Sequence, residues 1–156
     1  MQNENPRDSY SEQRVTVRNE SRSPLPEYKT SHAAGMDISA FLRQPVSLAP
    51  GERKLIGTGI YMALPSGFEA QIRSRSGLAY HNGIIVLNSP GTIDADYRGE
   101  IKVLLINVSD QVFIIQDGDR IAQLVVVPYT RVAWLPTKVL PDSSRGAKGF
   151  GSTGVR

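Results

Sequence analysis

A chain of 156 residues is one domain's worth, long enough to bury a core covering more than half of its unfolded surface. Its 18 Lys and Arg against 15 Asp and Glu give a formal charge of +3, too mild to argue for nucleic acid by itself, so anionic small ligands stay open. With no cysteine, disulfides, thiol catalysis and thiolate metal sites are excluded, and with two histidines a zinc site would need unusual carboxylate help.

Residues 1–12 are polar, carry no periodic signal and are expected to form a disordered or loosely attached arm. The opening Met1-Gln2-Asn3-Glu4-Asn5-Pro6 lacks the apolar segment of a signal peptide, and Leu124-Val125-Val126-Val127 is far too short to span a bilayer. A soluble, cytoplasmic protein is the expectation. Apolar residues then come in short bursts separated by Gly, Pro, Asn, Asp and Ser, with no sustained 3.6-residue period, which predicts an all-β sandwich or barrel over residues 13–140.

Gln13 to Asn19 alternates polar and apolar, a first strand with Val15 and Val17 inward. After the prolines of Ser23 to Tyr28, Ala33 to Ala40 enters a short strand with Met36, Ile38 and Ala40 on one face and Asp37 and Ser39 on the other. Asp37 therefore points away from the core, and by itself reads as a solvated carboxylate or turn cap. Lys54 to Leu64 is a strand interrupted at Gly57-Thr58-Gly59 by a bulge or a close backbone approach. Glu69 to Arg75 puts Arg73 and Arg75 on one face before Ser76-Gly77-Leu78 breaks it off. Two guanidiniums ending in Ser-Gly suit an anion, and a surface Arg pair beside a tight turn is the plainer alternative.

Asn82-Gly83 is a hairpin signal, Ile84 to Leu87 a short buried strand, and Asn88 to Gly91 the approach to Gly91-Thr92-Ile93-Asp94-Ala95-Asp96-Tyr97-Arg98-Gly99. Two carboxylates and an aromatic between glycines read as a hairpin tip carrying chemistry, although Asx-turn chemistry alone would also account for Asp94 and Asp96. Glu100 to Asn107 is apolar on both faces near its end, hence central; Val112 to Ile115 and Arg120 to Val127 complete the inventory around the Asp117-Gly118-Asp119 turn. Gln123 is the odd polar residue in that last strand, read alone as an edge or satisfied amide. Arg131 to Pro136 gives one more strand, with Trp134 a core or subunit-interface aromatic. Residues 141–156 form a glycine-rich tail in which Phe150 has nothing local to pack on, which suggests a lid.

Ala34-Gly35-Met36-Asp37, Arg75-Ser76-Gly77-Leu78-Ala79, Asn88 with the stretch from Gly91 to Gly99, Gly118 to Gln123, and Arg145 with Phe150 are five motifs that resemble, in order and approximate spacing, those of the trimeric dUTP pyrophosphatases (dUTPases), over roughly residues 24–154. The resemblance implies a jelly-roll or β-clip fold, a homotrimer with shared active sites, and Mg2+-dependent hydrolysis of dUTP to dUMP and pyrophosphate. That reaction limits uracil incorporation into DNA and supplies dUMP for thymidylate synthesis. It implies that Asp37 acts on the triphosphate-bound metal through water, that Arg75, Ser76 and Gly77 hold phosphates, and that Gln123 helps seat the α-phosphate. Asn88 and the main chain around Thr92, Ile93, Asp94 and Lys102 would read the uracil edges, with Tyr97 flat beneath the sugar. Asp94 would activate the attacking water while Asp96 supports the loop. In the tail, Arg145 would pair with the γ-phosphate and Phe150, beside Gly151, would stack on uracil. One protomer would supply Asp37, Arg75-Ser76 and Gln123, a second the Asn88-to-Tyr97 hairpin, and a third the tail. The chain departs from the family's usual pattern at Ser74, where proline is common, and at Lys148, where glycine is common.

A dCTP deaminase of the same fold would need a glutamate placed to activate water at the base, where this hairpin offers Asn88. A non-catalytic barrel binding single-stranded nucleic acid should carry several exposed aromatics on basic strands, and only Phe150 and Tyr97 suggest stacking. Stable nucleic-acid or membrane association is not expected.

Overall fold

The short apolar bursts become short strands because each can bury one face only by packing against another sheet. A computed structural model describes residues 12–147 and 149. The expected N-terminal arm, apart from Glu12, and Lys148, Phe150 and Gly151 of the expected lid lie outside them. In chain order the elements are β1 (Thr16–Asn19), β2 (Met36–Ser39), β3 (Val46–Leu48), β4 (Arg53–Gly57), β5 (Ile60–Ala63), β6 (Phe68–Arg73), α1 (Ser76–Asn82), β7 (Ile84–Val86), β8 (Gly91–Ile93), β9 (Lys102–Asn107), β10 (Phe113–Ile115) and β11 (Arg120–Pro128). The fold is all-β of the jelly-roll type, with α1 the single helix among the described residues.

Every pairing is antiparallel: β2-β11-β6-β8 form one sheet, β4-β9-β7 a second, and β1-β5 and β3-β10 two smaller ribbons. The core lies between them, where Ile38, Leu48, Ile56, Ile101, Leu105, Ile115 and Ile121 are at most 2% exposed. Each such side chain stabilises the fold by about 1.5–3 kcal/mol relative to exposure. β9 is central in its sheet, as its sequence predicts.

The interruption at Gly57-Thr58-Gly59 is where the chain changes sheets. The Glu100 carboxylate accepts the N–H groups of Thr58 at 3.1 Å and Gly59 at 3.0 Å, so the backbone runs against it; a Cβ at Gly57 would lie 2.7 Å from Glu100 Oε1. Across the fold, Asp117 ties two loops by accepting Leu42 N–H at 2.8 Å and Arg22 Nη1 at 2.9 Å. Those bonds hold its carboxyl below the usual range, the Leu42 amide being the larger cause.

Asn107 is fully buried at the end of β9. Its Nδ2 donates to Leu48 O and Gln111 O, and its Oδ1 accepts from Ser109 N and Oγ, all between 2.7 and 2.9 Å. Asn107→Ala would strand the buried Leu48 carbonyl and is expected to lower unfolding stability by about 2–3 kcal/mol, read from the midpoint of urea denaturation.

Local patterning fails at four places. Val15 packs against the core, but Val17, on the same face and opposite Met62, is exposed, because beyond the β1-β5 ribbon the described residues do not cover it. Ser76 to Asn82 form α1 rather than a turn, and Gly83, at φ 64°, is its left-handed C-cap rather than a hairpin tip. The stretch from Gly91 to Gly99 is not a two-stranded hairpin: β8 pairs with β6 while the chain leaves it for β9 in the other sheet. Residues 129–140 form no strand, and Trp134 is 87% exposed, so it is no core residue of this chain.

Candidate active site

The site begins with alternation in β2. Ile38 points into the core, which turns Asp37 outward, and β11 pairs with β2 so that Gln123 faces Asp37. On its other side Gln123 faces Arg73, the last residue of β6. The register of β11 slips between Arg120 and Ala122, so Ile121 and Ala122 both turn inward. That bulge brings Arg120 to the outer face beside Gln123, where strict alternation would have set the two on opposite faces.

Asp37 is consequently held between two guanidiniums. Arg75 Nε donates to Oδ1 at 3.0 Å and Arg120 Nη1 to Oδ2 at 2.9 Å, while Arg75 Nη1 donates to the Arg120 carbonyl at 2.6 Å. Arg73 does not join them, since its guanidinium is taken up by Gln71 Oε1 at 2.6 and 3.1 Å. A cleft of about 260 Å3 opens beside the cluster, lined by Arg75, Leu78, Phe113, Asp119, Arg120 and Ile121. Arg75 is the N-cap of α1, so the amides of Ser76 and Gly77, both exposed, belong to a first turn without helical carbonyl partners. Gln123 Nε2 donates to Ser74 O at 3.0 Å, and a Cβ at Gly35 would lie 2.7 Å from Gln123 Oε1; the Ala34-Gly35-Met36 stretch is small where the carboxamide passes.

Asn88 stays near this first group: it is exposed, one residue before Ser89, whose Oγ accepts Ser74 N–H at 3.4 Å, and its Nδ2 lies 3.2 Å from where a Gly91 Cβ would be. The other expected residues sit elsewhere. Thr92 is exposed and Ile93 buried, opposite Gln71 and Ala70, and Asp94 follows as an exposed carboxylate at the end of β8. Tyr97 folds back with its N–H on Asp94 O at 3.2 Å and its hydroxyl on Glu100 O at 3.1 Å, its ring over Gly99. Asp96 is exposed in the same turn. Lys102 opens β9 with Nζ 3.6 Å from Glu100 Oε2. Arg145 is exposed.

One chain keeps the two groups apart. β2 and β8 are opposite edges of the four-stranded sheet, and Asp94 continues β8 level with Glu69, four residues along β6 from the row that holds Asp37, Gln123 and Arg73. At ordinary strand spacing and rise Asp94 is roughly 20 Å from Asp37 and roughly 16 Å from Gln123.

Arg120 is the residue that sequence reasoning quotes in a motif without giving it a part. Its contact with Asp37 spans 83 positions and depends on the bulge, for which no local signal exists beyond the preceding Gly118-Asp119 turn.

Among the described residues no cluster of three or more His, Cys, Asp or Glu could by itself cage a metal. Asp37 nevertheless fits a hydrated magnesium ion. Its two oxygens accept one bond each from the arginines and keep lone pairs for metal-bound waters, the usual arrangement where substrate phosphates supply the direct ligands. No helix among the described residues is long and apolar enough to cross a membrane.

Residues 21–154 match the dUTPase family model. The deoxyuridine 5'-triphosphate nucleotidohydrolase of Rickettsia bellii (strain OSU 85-389) is 60% identical over 131 residues, 84% of this chain and 87% of its own length. That of Rickettsia akari (strain Hartford) is 59% identical over 84% of this chain and 88% of its own. Among solved structures, a mutant of the Staphylococcus bacteriophage 80alpha dUTPase with dUpNHpp aligns with a TM-score of 0.82 at 27% identity, over 91% of this chain and 99% of that one. A mutant dUTPase from phage phi11 of S. aureus, described with a structural Mg(II) ion, shares the fold with a TM-score of 0.74 at 24% identity over 83% of this chain and 99% of its own.

Proposed function

Since this chain belongs to the dUTPase family and is a dUTP diphosphatase, we propose that its two separated groups of polar residues are the halves of one active site, each completed by another copy of the chain. The observation that carries this reading is the convergence of Asp37, Arg75 and Gln123 on one outer face, with Asp94 about a sheet's width away. A water attacking the α-phosphorus must touch Asp94 while Gln123 touches the same phosphate, and the roughly 16 Å between them, two strands across and four residues along, cannot be bridged within one protomer. A homotrimer meets the requirement. The exposed apolar run Val132, Trp134, Leu135, Val139 and Leu140 supports assembly, since so much apolar surface in one segment calls for a partner.

In this site Asp94 orients the water and takes its proton as the oxygen attacks the α-phosphorus and pyrophosphate leaves. Gln123 donates to an α-phosphate oxygen. Arg75 spends Nε and one Nη1 hydrogen on Asp37 and the Arg120 carbonyl, which fixes its plane and leaves its remaining N–H groups for phosphate oxygens. The Ser76 hydroxyl and the Gly77 amide add donors at the start of α1. Arg120 braces Asp37, and Asp37 with the triphosphate would hold magnesium through water; the bound ion neutralises phosphate charge. Asn88 and the main chain of Thr92, Ile93, Asp94 and Lys102 read uracil, Tyr97 stacks under the sugar and excludes a 2′-hydroxyl, and the tail closes with Arg145, Phe150 and Gly151 on the nucleotide, shutting out water. A cytoplasmic setting completes the reading, consistent with a chain free of cysteine.

Magnesium-dependent pyrophosphate release from dUTP, dCTP, dTTP and UTP, measured in parallel, tests the assignment. Turnover of dUTP should exceed that of dCTP by roughly 10⁴-fold, the penalty when a buried base edge is left unpaired. Ammonia released from dCTP would move the chain to the deaminases, and the absence of dUTP turnover would overturn the reading.

A further inference from the structure

Ser74 joins β6 to α1 immediately before Arg75, and three of its groups are bonded to three different places. Its Oγ accepts Val86 N–H at 2.9 Å, its carbonyl accepts Gln123 Nε2 at 3.0 Å, and its N–H donates to Ser89 Oγ at 3.4 Å. Val86 ends β7, the edge strand of the three-stranded sheet. The next amide, Leu87 N–H, bonds Leu104 O in β9, so alternation turns Val86 N–H outward to an edge where it needs an acceptor. The Ser74 hydroxyl supplies it and thereby fastens one sheet to the other at the threshold of the phosphate loop.

The carbonyl of the same residue decides which way Gln123 presents its amide. A carbonyl only accepts, so the carboxamide must turn Nε2 toward Ser74, with Oε1 over Gly35. One N–H of Nε2 is used on Ser74 and the other remains a donor. If the Ser74 carbonyl drifted, the carboxamide could flip and present Oε1, an acceptor, to an anionic phosphate.

We propose that Ser74 is a positioning residue for the reacting phosphate: anchored to Val86, it holds the Gln123 carboxamide as a donor and fixes the root of Arg75. The proposal rests on the reading above that Gln123 seats the α-phosphate. Because charged groups elsewhere dominate triphosphate binding, the loss falls on kcat more than on KM.

The test compares Ser74→Ala, Ser74→Thr and Ser74→Pro for kcat and KM on dUTP, with amide hydrogen exchange of Val86 in each. Ser74→Ala is expected to lower kcat about 10-fold with KM within about twofold, and to speed Val86 exchange about 10-fold or more. Ser74→Thr keeps the oxygen and should restore both. Ser74→Pro lacks the hydroxyl but fixes φ, and should retain kcat within about threefold while Val86 exchanges as fast as in the alanine variant. An unchanged kcat in Ser74→Ala, an effect confined to KM, or unaltered Val86 exchange would each overturn the proposal. Faster Val86 exchange in Ser74→Ala, in a protein whose unsubstituted form does not hydrolyse dUTP, would instead overturn the site reading and leave the anchor standing.

Discussion

Asp94→Asn is expected to lower kcat on dUTP by about 10²–10⁴-fold, the range carried by a positioned general base, with dUTP binding little changed. The side chain sits at the end of β8, exposed and without a hydrogen bond among the described residues, so the amide replaces it without disturbing a structural contact. Its neighbours are fixed independently: Ile93 is buried opposite Ala70, and Tyr97 is tied to the backbone of Asp94 and Glu100. Melting temperature should therefore stay within a degree or two of the unsubstituted protein, about the effect of a neutral surface exchange. An isothermal titration with a non-hydrolysable dUTP analogue separates binding from chemistry. Equal losses in binding and turnover would place Asp94 in recognition alone, and unchanged turnover would remove it from the site.

How much of this is legible in the sequence depends on how local each feature is. Asp37 faces outward because Ile38 and Ala40 face inward, a rule of period two that the sequence displays openly. The bursts at Ile60, Phe68 and Lys102 become strands for the same reason. Helix α1 escapes notice because its seven residues are too few to show a 3.6-residue period and none of its side chains is buried. Gly83 adds to the confusion: a positive φ serves a hairpin tip and a helix C-cap equally well, and only the chain around it tells which. At Gly83 a Cβ would lie 2.8 Å from Ser109 Cβ, a long-range packing constraint invisible in Asn82-Gly83 itself.

Contacts between distant segments are the least legible. The motifs name Asp37, Arg75 and Gln123 separately, but the brace from Arg120 arises from a register shift in β11 that adds one residue against β2. Ser74 is noticed in the sequence only as a departure from proline, whereas its bonds to Val86, Ser89 and Gln123 give the serine a purpose. Residues 131–136 carry the composition of a strand, yet a strand needs a partner backbone and among the described residues they have none, with Leu135 91% exposed. Val17 on β1 is the milder case of the same thing. Both leave apolar side chains exposed among the described residues, an outcome that local patterning does not anticipate.

Mixing two inactive variants should restore activity. Arg75→Ala removes the guanidinium beside Asp37 and Gln123, and Asp94→Asn removes the proposed base. In the proposed homotrimer, three copies of either variant alone have every site damaged. In a trimer containing both kinds of chain, one of the three sites draws Arg75 from the Asp94→Asn chain and Asp94 from the Arg75→Ala chain, and is intact. With random assembly from equal amounts, about three quarters of trimers are mixed, so the population should recover about one quarter of the unsubstituted activity. The measurement is dUTP turnover after the two variants are unfolded together and refolded, against the same variants refolded apart and then combined. Sites built within one chain predict no recovery in either case, because each chain would still lack one of the two groups. Recovery only on joint refolding would place Arg75 and Asp94 on different copies, the arrangement proposed from their distance across the four-stranded sheet.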